Sequence, residues 1–277
     1  MKYRYIILLG GRLDDSADHR RPRLDSSLRA AGMICKLDSP SARVFVSVDT
    51  PTLAAPGHGL LVGRIYTNEG QPVSQWLDIG GSVQELIDHL LRDTWGDYLA
   101  VLVDSEDSSA ITLLRDPSGA VPCVYSLADG EGFITSDIGL AVELGLYRRA
   151  VNWQAIAHDL NFPYLRTAHT ALKHVNELLP ACTLTRRGRD ASAGSAWSPW
   201  RFVEKDVRHR DLREAAQDVR AAVSSVVRTL SAVDDRFVVE LSGGLDSSVV
   251  ATCLHDASLR AVFCTLVMPV SGTLGSR

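Results

Sequence analysis

Seven consecutive residues, Ser242-Gly243-Gly244-Leu245-Asp246-Ser247-Ser248, carry the densest chemistry in the chain. Hydroxyls, adjacent glycines and a carboxylate in so short a run could surround an anion. The glycines remove side chains that would keep a phosphate at a distance. Ser242, Ser247 and Ser248 supply hydroxyl donors, and Asp246 could hold a hard cation such as Mg2+ against phosphate oxygens. The bland reading is a serine-rich turn between a core strand and a helix.

Such a cradle works only if the backbone positions it. Phe237, Val238 and Val239 form an apolar, partly β-branched run suited to a buried parallel strand. Asp246, Ser247 and Ser248 are types that open helices, and Val249 to Leu254 reads as helix. Strand, glycine turn and helix N-terminus would aim free N–H groups and a positive dipole end at one spot. The loop lacks the lysine of G-x-x-x-x-G-K-[ST], and it is not G-x-G-x-x-G.

In this setting the seven residues resemble the pyrophosphate loop of the ATP-pyrophosphatase enzymes, in the form used by the asparagine synthetase family. The resemblance implies ATP and Mg2+ as cofactors, cleavage between the α- and β-phosphates, and transfer of AMP to a carboxylate. It implies that Ser242, Gly243, Gly244, Ser247 and Ser248, with Leu245 between them, hold the β- and γ-phosphates. Asp246 would be the Mg2+ ligand, the Leu241 backbone would lie near AMP, and Thr265 would lie on the adenine side. It assigns no catalytic residue.

At 277 residues the chain is long enough for two domains, at a prior of about 150 residues each. A net charge of −4 leaves no electrostatic footprint for nucleic acid or an anionic membrane. Cys35, Cys123, Cys182, Cys253 and Cys264 are scattered and never in C-x-x-C, which favours reduced thiols over disulfides or zinc. Ile6 to Leu9 is too short for a signal core, and no stretch approaches a membrane span. The expectation is a cytoplasmic protein with no nucleic-acid or membrane partner.

Strands are predicted over Tyr3–Leu9, Met33–Lys36, Ala42–Val48, Leu60–Tyr66, Tyr98–Val103, Ala110–Leu114 and Val121–Tyr125. Gly10 to Arg29 reads as a polar surface loop. Helices are predicted over Val83–Leu91, Ile138–Leu146 and Trp153–Leu160. Strands at both ends of a helical middle suggest an α+β layered sandwich. Residues 186–210 have no periodicity and read as a linker. Asp211-x-x-Glu214 resembles a capping box. Leu212, Ala215, Val219, Ala222, Val226 and Leu230 then repeat at helical spacing, a face expected to cover the sheet begun at Phe237. A strand over 260–267 would complete a βαβ unit.

The first part adds to the resemblance. Trp95-Gly96-Asp97-Tyr98 and the segment Arg115-Asp116-Pro117-Ser118-Gly119 through Pro122-Cys123-Val124-Tyr125 look like the glutaminase-type, class II amidotransferase domain of the same family. Arg115 and Asp116 are more simply read as an ion pair and turn cap. The implied fold is an N-terminal-nucleophile-type αββα sandwich over 1–185. After the 186–210 linker, 211–277 would begin a doubly wound α/β domain of the adenine-nucleotide α-hydrolase-like type.

Two departures shape the functional expectation. Glutamine-hydrolysing members expose a cysteine after the initiator methionine, where this chain has Lys2. Their Asn-Gly-Glu turn falls here at Val62-Gly63-Arg64, which lacks the oxyanion-stabilising amide. The resemblance therefore implies an inactive glutaminase and an amine other than ammonia as nucleophile. It lies nearest lasso-peptide cyclases, in which a peptide carboxylate is adenylated and captured by the peptide's own N-terminal amine. Implied partners are a peptide or small-molecule carboxylate and a precursor-peptide-processing protein. Alternatives are glutamine-hydrolysing asparagine synthetase and a non-catalytic binding module. The chain stops about thirty residues past the loop, where a doubly wound domain needs further strands, so the expectation is a truncated product or half of a split enzyme.

Overall fold

The computed structural model describes residues 3–10, 20–76, 81–104, 107, 109–204, 211–233, 237–256 and 261–266. Two compact units account for them: Met1–Asn68 with Pro72–Arg201, and Glu69–Gln71 with Phe202–Arg277.

Alternation organises the first unit. In β1 (Tyr5–Leu9), Tyr5, Ile7 and Leu9 face one apolar layer while Ile6 and Leu8 face another. β1 pairs antiparallel with β3 (Ala42–Ser47) and β9 (Glu131–Thr135). The first sheet is completed by β2 (Met33–Asp38), β8 (Val124–Ala128) and β10 (Asn176–Glu177), in the order β10-β8-β9-β1-β3-β2. The second runs β12-β11-β7-β6-β5-β4, from β4 (Thr52–Ala55), β5 (Gly59–Thr67), β6 (Thr94–Val103), β7 (Ile111–Arg115), β11 (Cys182–Arg187) and β12 (Asp190–Ser195).

Between the sheets, Tyr5, Ile7, Val44 and Val46 meet Val62, Leu99, Val101 and Leu113 in a fully buried layer. On its other face the second sheet presents Leu61, Tyr98, Ala100 and Leu102 to α2 (Val83–Asp93), whose Leu86, Ile87 and Leu90 are buried there. The first sheet's other face presents Ile6, Phe45 and Phe133 to Leu28 of α1 (Arg20–Ala30) and Leu140 and Ala141 of α3 (Ile138–Glu143). Each fully buried aliphatic side chain contributes about 1.5–3 kcal/mol. The layering is αββα, as expected.

Several elements differ from expectation. Residues 20–29 of the expected loop, with Ala30, form α1, which among the described side chains grips the core through Leu24 and Leu28, four residues apart. Its outward face is otherwise polar, so no stripe marks it. β4 follows Pro51 directly and is only four residues long. β8 begins later than expected because Pro122 has no N–H for a ladder; Val121 and Cys123 are buried ahead of it. The expected linker contains β12, an exposed polar edge strand tied to β11 by backbone register from Cys182↔Ser195 to Arg187↔Asp190. The capping box lies at Ser82 and Glu85, where side chain and backbone bond reciprocally. Asp211 instead accepts from Arg213 N.

Arg115 and Asp116 hold the second sheet's turn to the chain beyond it. Arg115 Nε donates to Val121 O at 2.9 Å, Nη2 to Gly119 O at 2.7 Å, and Nη1 to Glu177 Oε1 at 2.8 Å. The buried Asp116 accepts from Tyr98 N at 3.1 Å through Oδ1. Its Oδ2 accepts from Ser118 N at 2.8 Å, Gly119 N at 3.1 Å and the Ser118 hydroxyl. Burial pushes this carboxyl above its usual range while those donors pull it back. Both residues are structural: the ion pair is made by Arg115 with Glu177, and the turn cap is Asp116. In Asp116→Asn the amide nitrogen must face a backbone N–H on one side or the other. Urea unfolding should show a loss of about 1–3 kcal/mol; an unchanged midpoint would contradict the cap.

Candidate functional site

β13 (Phe237–Glu240) and β14 (Ala261–Cys264) pair in parallel, Phe237 opposite Ala261 and Glu240 opposite Cys264. α6 (Leu245–Asp256) connects them, so the expected βαβ unit is present. Pairing runs one residue past the strand: Leu241 N donates to Cys264 O at 2.7 Å. The chain then leaves the carboxyl edge and turns through Gly243, whose φ of 78° is in the left-handed region. A Cβ there would meet nothing within 4 Å, so the constraint is the angle and the surrounding space is open.

The seven residues fold into one turn. Ser242 Oγ accepts from Gly244 N at 3.3 Å and lies 3.3 Å from Ser247 Oγ. Ser247 Oγ and Ser248 Oγ both donate to Gly244 O, at 3.2 and 2.9 Å. Gly244 O also receives the first helical bond, from Ser248 N at 3.4 Å. The first-turn amides of Leu245, Asp246 and Ser247 have no acceptor within the helix. Ser242, Gly243, Gly244, Leu245, Asp246 and Ser248 are exposed, and Ser247 is half-buried. Three hydroxyls, free amides and a helix N-terminus thus lie together on one open edge.

The two outlying residues are placed differently. Thr265 follows β14 at the same carboxyl edge where Leu241 follows β13, and is exposed. The Asp246 carboxylate is solvent-facing in the first turn of α6. Among the described residues, no group of three or more His, Cys, Asp or Glu side chains could by itself hold a metal. One carboxylate fits Mg2+ only in the usual manner of that ion, with water and substrate phosphate filling most positions.

The helix expected to cover this sheet corrects the sequence reading. α5 (Leu212–Ser231) forms, but Leu212 is 90% exposed, Val219 62% and Leu230 42%. Its contact side is rotated: Val223, Ser224 and Val227 are half-buried, and Ser224 Oγ lies 3.7 Å from Cys253 Sγ of α6. Twenty residues span about 30 Å, far more than two four-residue strands can cover. The expected residues at 205–210, 260 and 267–277 lie outside the described residues, as does Lys2.

In the first unit, the expected counterpart of an oxyanion turn is built for packing. Val62 is buried between the sheets, and Gly63 N donates to Pro51 O at 2.8 Å. A Cβ on Gly63 would fall 2.0 Å from Asp97 O, so glycine is required by the approach of β6. Arg64 stands opposite Asp97 in the ladder, and Tyr3 OH donates to Asp97 Oδ2 at 2.9 Å. Burial, then that bond, pushes the Tyr3 phenol well above its ordinary range. Val62, Gly63, Arg64 and Asp97 stand in motifs legible in the sequence, whereas Tyr3 and Pro51 join them only through the fold.

No protein-family model and no curated protein matches the chain. Among solved structures, it is similar to the glutamine phosphoribosylpyrophosphate (PRPP) amidotransferase from B. subtilis complexed with ADP and GMP. Identity is 10% and the TM-score 0.35, covering 94% of this chain and 65% of that one. A structure described as the allosteric regulatory enzyme of purine biosynthesis is similar at 12% identity and TM-score 0.35, covering 100% of this chain and 62% of that one. The chain spans less than two thirds of either length, and likeness this distant assigns no family.

The five cysteines are free thiols of differing burial, from exposed Cys35 and Cys264 to buried Cys123. Burial pushes Cys123 up to about 11, and raises exposed Cys35 to a smaller extent. Native alkylation by iodoacetamide at pH 8 should therefore mark the exposed Cys35 and Cys264 well before Cys123, which should react only after urea. Early modification of Cys123 by peptide mass mapping would contradict its place in the core.

Proposed function

We propose that the chain is part of an ATP-dependent amide-forming ligase of the asparagine synthetase type, with a first domain that does not hydrolyse glutamine. The observation that carries this reading is the open turn at Ser242–Ser248. Its first-turn amides can take a diphosphate, with the hydroxyls of Ser242, Ser247 and Ser248 beside them, and Gly243 leaves it room to approach. Asp246 would hold Mg2+, which neutralises phosphate charge when bound. Leu241 and Thr265, at the adjacent strand ends, would flank the nucleoside.

In this reading a substrate carboxylate oxygen attacks the α-phosphorus of ATP, forming an acyl-adenylate and releasing pyrophosphate. An amine then attacks the acyl carbon, forming the amide and releasing AMP and a proton. The protein's contribution at the loop is charge stabilisation of the departing diphosphate. Among the described residues of the first unit, the expected oxyanion turn presents no donor for glutamine hydrolysis, which in this reading leaves the second step without ammonia. Gly63 N–H is already given to Pro51, and the oxyanion turn's amide is replaced by the buried Val62. The amine therefore belongs to the substrate, and closure of a peptide carboxylate onto its own N-terminal amine, as in lasso peptides, is the specific form proposed. Holding both ends together is the entropic part of that task.

Carboxylate-dependent exchange of labelled pyrophosphate into ATP tests the reading. Exchange should fall at least about tenfold in Asp246→Ala and in Gly243→Val, and glutamine should yield no glutamate. Exchange indifferent to both substitutions would remove the ligase assignment. Release of glutamate from glutamine would instead favour an orthodox asparagine synthetase.

A further inference from the structure

α4 (Trp153–Asn161), in the first unit, presents a face at odds with its surroundings. Ala155 is its one buried residue, and Asn152 caps it by accepting from Ala155 N at 3.3 Å. Trp153, Ala157 and Leu160 lie on the opposite row at spacings of four and three, where polar residues belong on a surface helix. Trp153 is 72% exposed, Leu160 79%, and Tyr164, just past the helix, 99%. The segment is well tied down. Phe162 N donates to His158 O at 2.8 Å, and the His158 and Phe162 rings are 5.4 Å apart.

Cations cluster at the N-terminal end of the same helix. Arg148 and Arg149 precede it, and the backbone brings Lys173 alongside: Lys173 N donates to Ala150 O at 2.8 Å, and Val151 bridges to Leu172. Tyr147 OH adds a bond to Lys173 O at 2.9 Å. All three cations are exposed, and none has a carboxylate partner among the described residues. Two acids nearby have other partners: Glu177 pairs with Arg115 and Arg166, and Asp159 lies 3.4 Å from His158. α4 has no acid in its first turn, so its dipole adds to the positive potential.

We propose that this face docks an acidic polypeptide segment. Its carboxylates would sit against Arg148, Arg149 and Lys173, and its apolar side chains along Trp153, Leu160 and Tyr164. Trp153 and Leu160 are roughly 10 Å apart along the axis. An apolar anchor would thus follow the acidic cluster by about three extended residues. A net charge of −4 and only three cations disfavour a nucleic acid or an anionic membrane. The face and its charge are independent of the phosphate-loop chemistry.

The test uses the full chain and a fluorescein-labelled synthetic peptide carrying a glutamate cluster followed by leucine and phenylalanine. Anisotropy should rise saturably and fall with salt, and a peptide with lysine for glutamate should not bind. Arg148→Glu/Arg149→Glu and Trp153→Ser/Leu160→Ser should each weaken binding about tenfold or more, with far-UV circular dichroism unchanged. The proposal is overturned by no saturable binding, or by equal binding of both folded variants. Binding of phosphatidylserine vesicles or oligothymidylate in place of the peptide overturns it too. So does a dimer, by light scattering, that the Trp153→Ser/Leu160→Ser variant dissolves.

Discussion

A β-sheet holds together in water only when its apolar side chains are covered, and the two units meet that constraint to very different degrees. In the first, alternate residues of β1, β5 and β6 enter either the layer between the sheets or a layer beneath a helix. Both faces of both sheets are thereby covered over their central strands. In the second, the parallel pair β13–β14 leaves Val238 at 68% and Val262 at 64% exposure, although parallel strands are ordinarily covered on both faces. The geometry of the Ser242–Ser248 turn depends on that pair, since the turn is where β13 leaves its partner.

The layering was legible wherever burial imposes a period. Val83, Leu86, Ile87 and Leu90 announce a helix because they share one side of it, and β1, β3 and β5 announce strands through dense apolar runs. Elements that owe their existence to backbone pairing or to a slight contact left no such trace. β12 is exposed along its whole length, and α1 touches the sheet through Leu24 and Leu28. The stripe on α5 shows a different failure: amphipathicity identifies a helix but not the partner that would cover it, and the covered side is the one with Val223, Ser224 and Val227.

The loop itself was readable because its chemistry is local. A short strand, a glycine with positive φ and a helix start are all properties of consecutive residues, and they assemble at Ser242–Ser248 without reference to the rest of the chain. What needed three dimensions was the company each group keeps. Ser247 and Ser248 bond back to Gly244 O, stiffening the turn, and Thr265 reaches the same edge through the Glu240–Cys264 register. In the first unit, likewise, the sequence names Val62 and Gly63, but only the ladder shows Gly63 held by Pro51 and crowded by Asp97.

The central claim is that the amides at the start of α6 receive the phosphates of ATP. Hydrogen exchange followed by mass spectrometry, with and without Mg-ATP, reads those amides directly. Exchange should slow across residues 243–248 and stay unchanged in β1, whose amides are already buried in the ladder. Nucleotide binding that leaves 243–248 exchanging at the free rate, with protection elsewhere, would contradict the account.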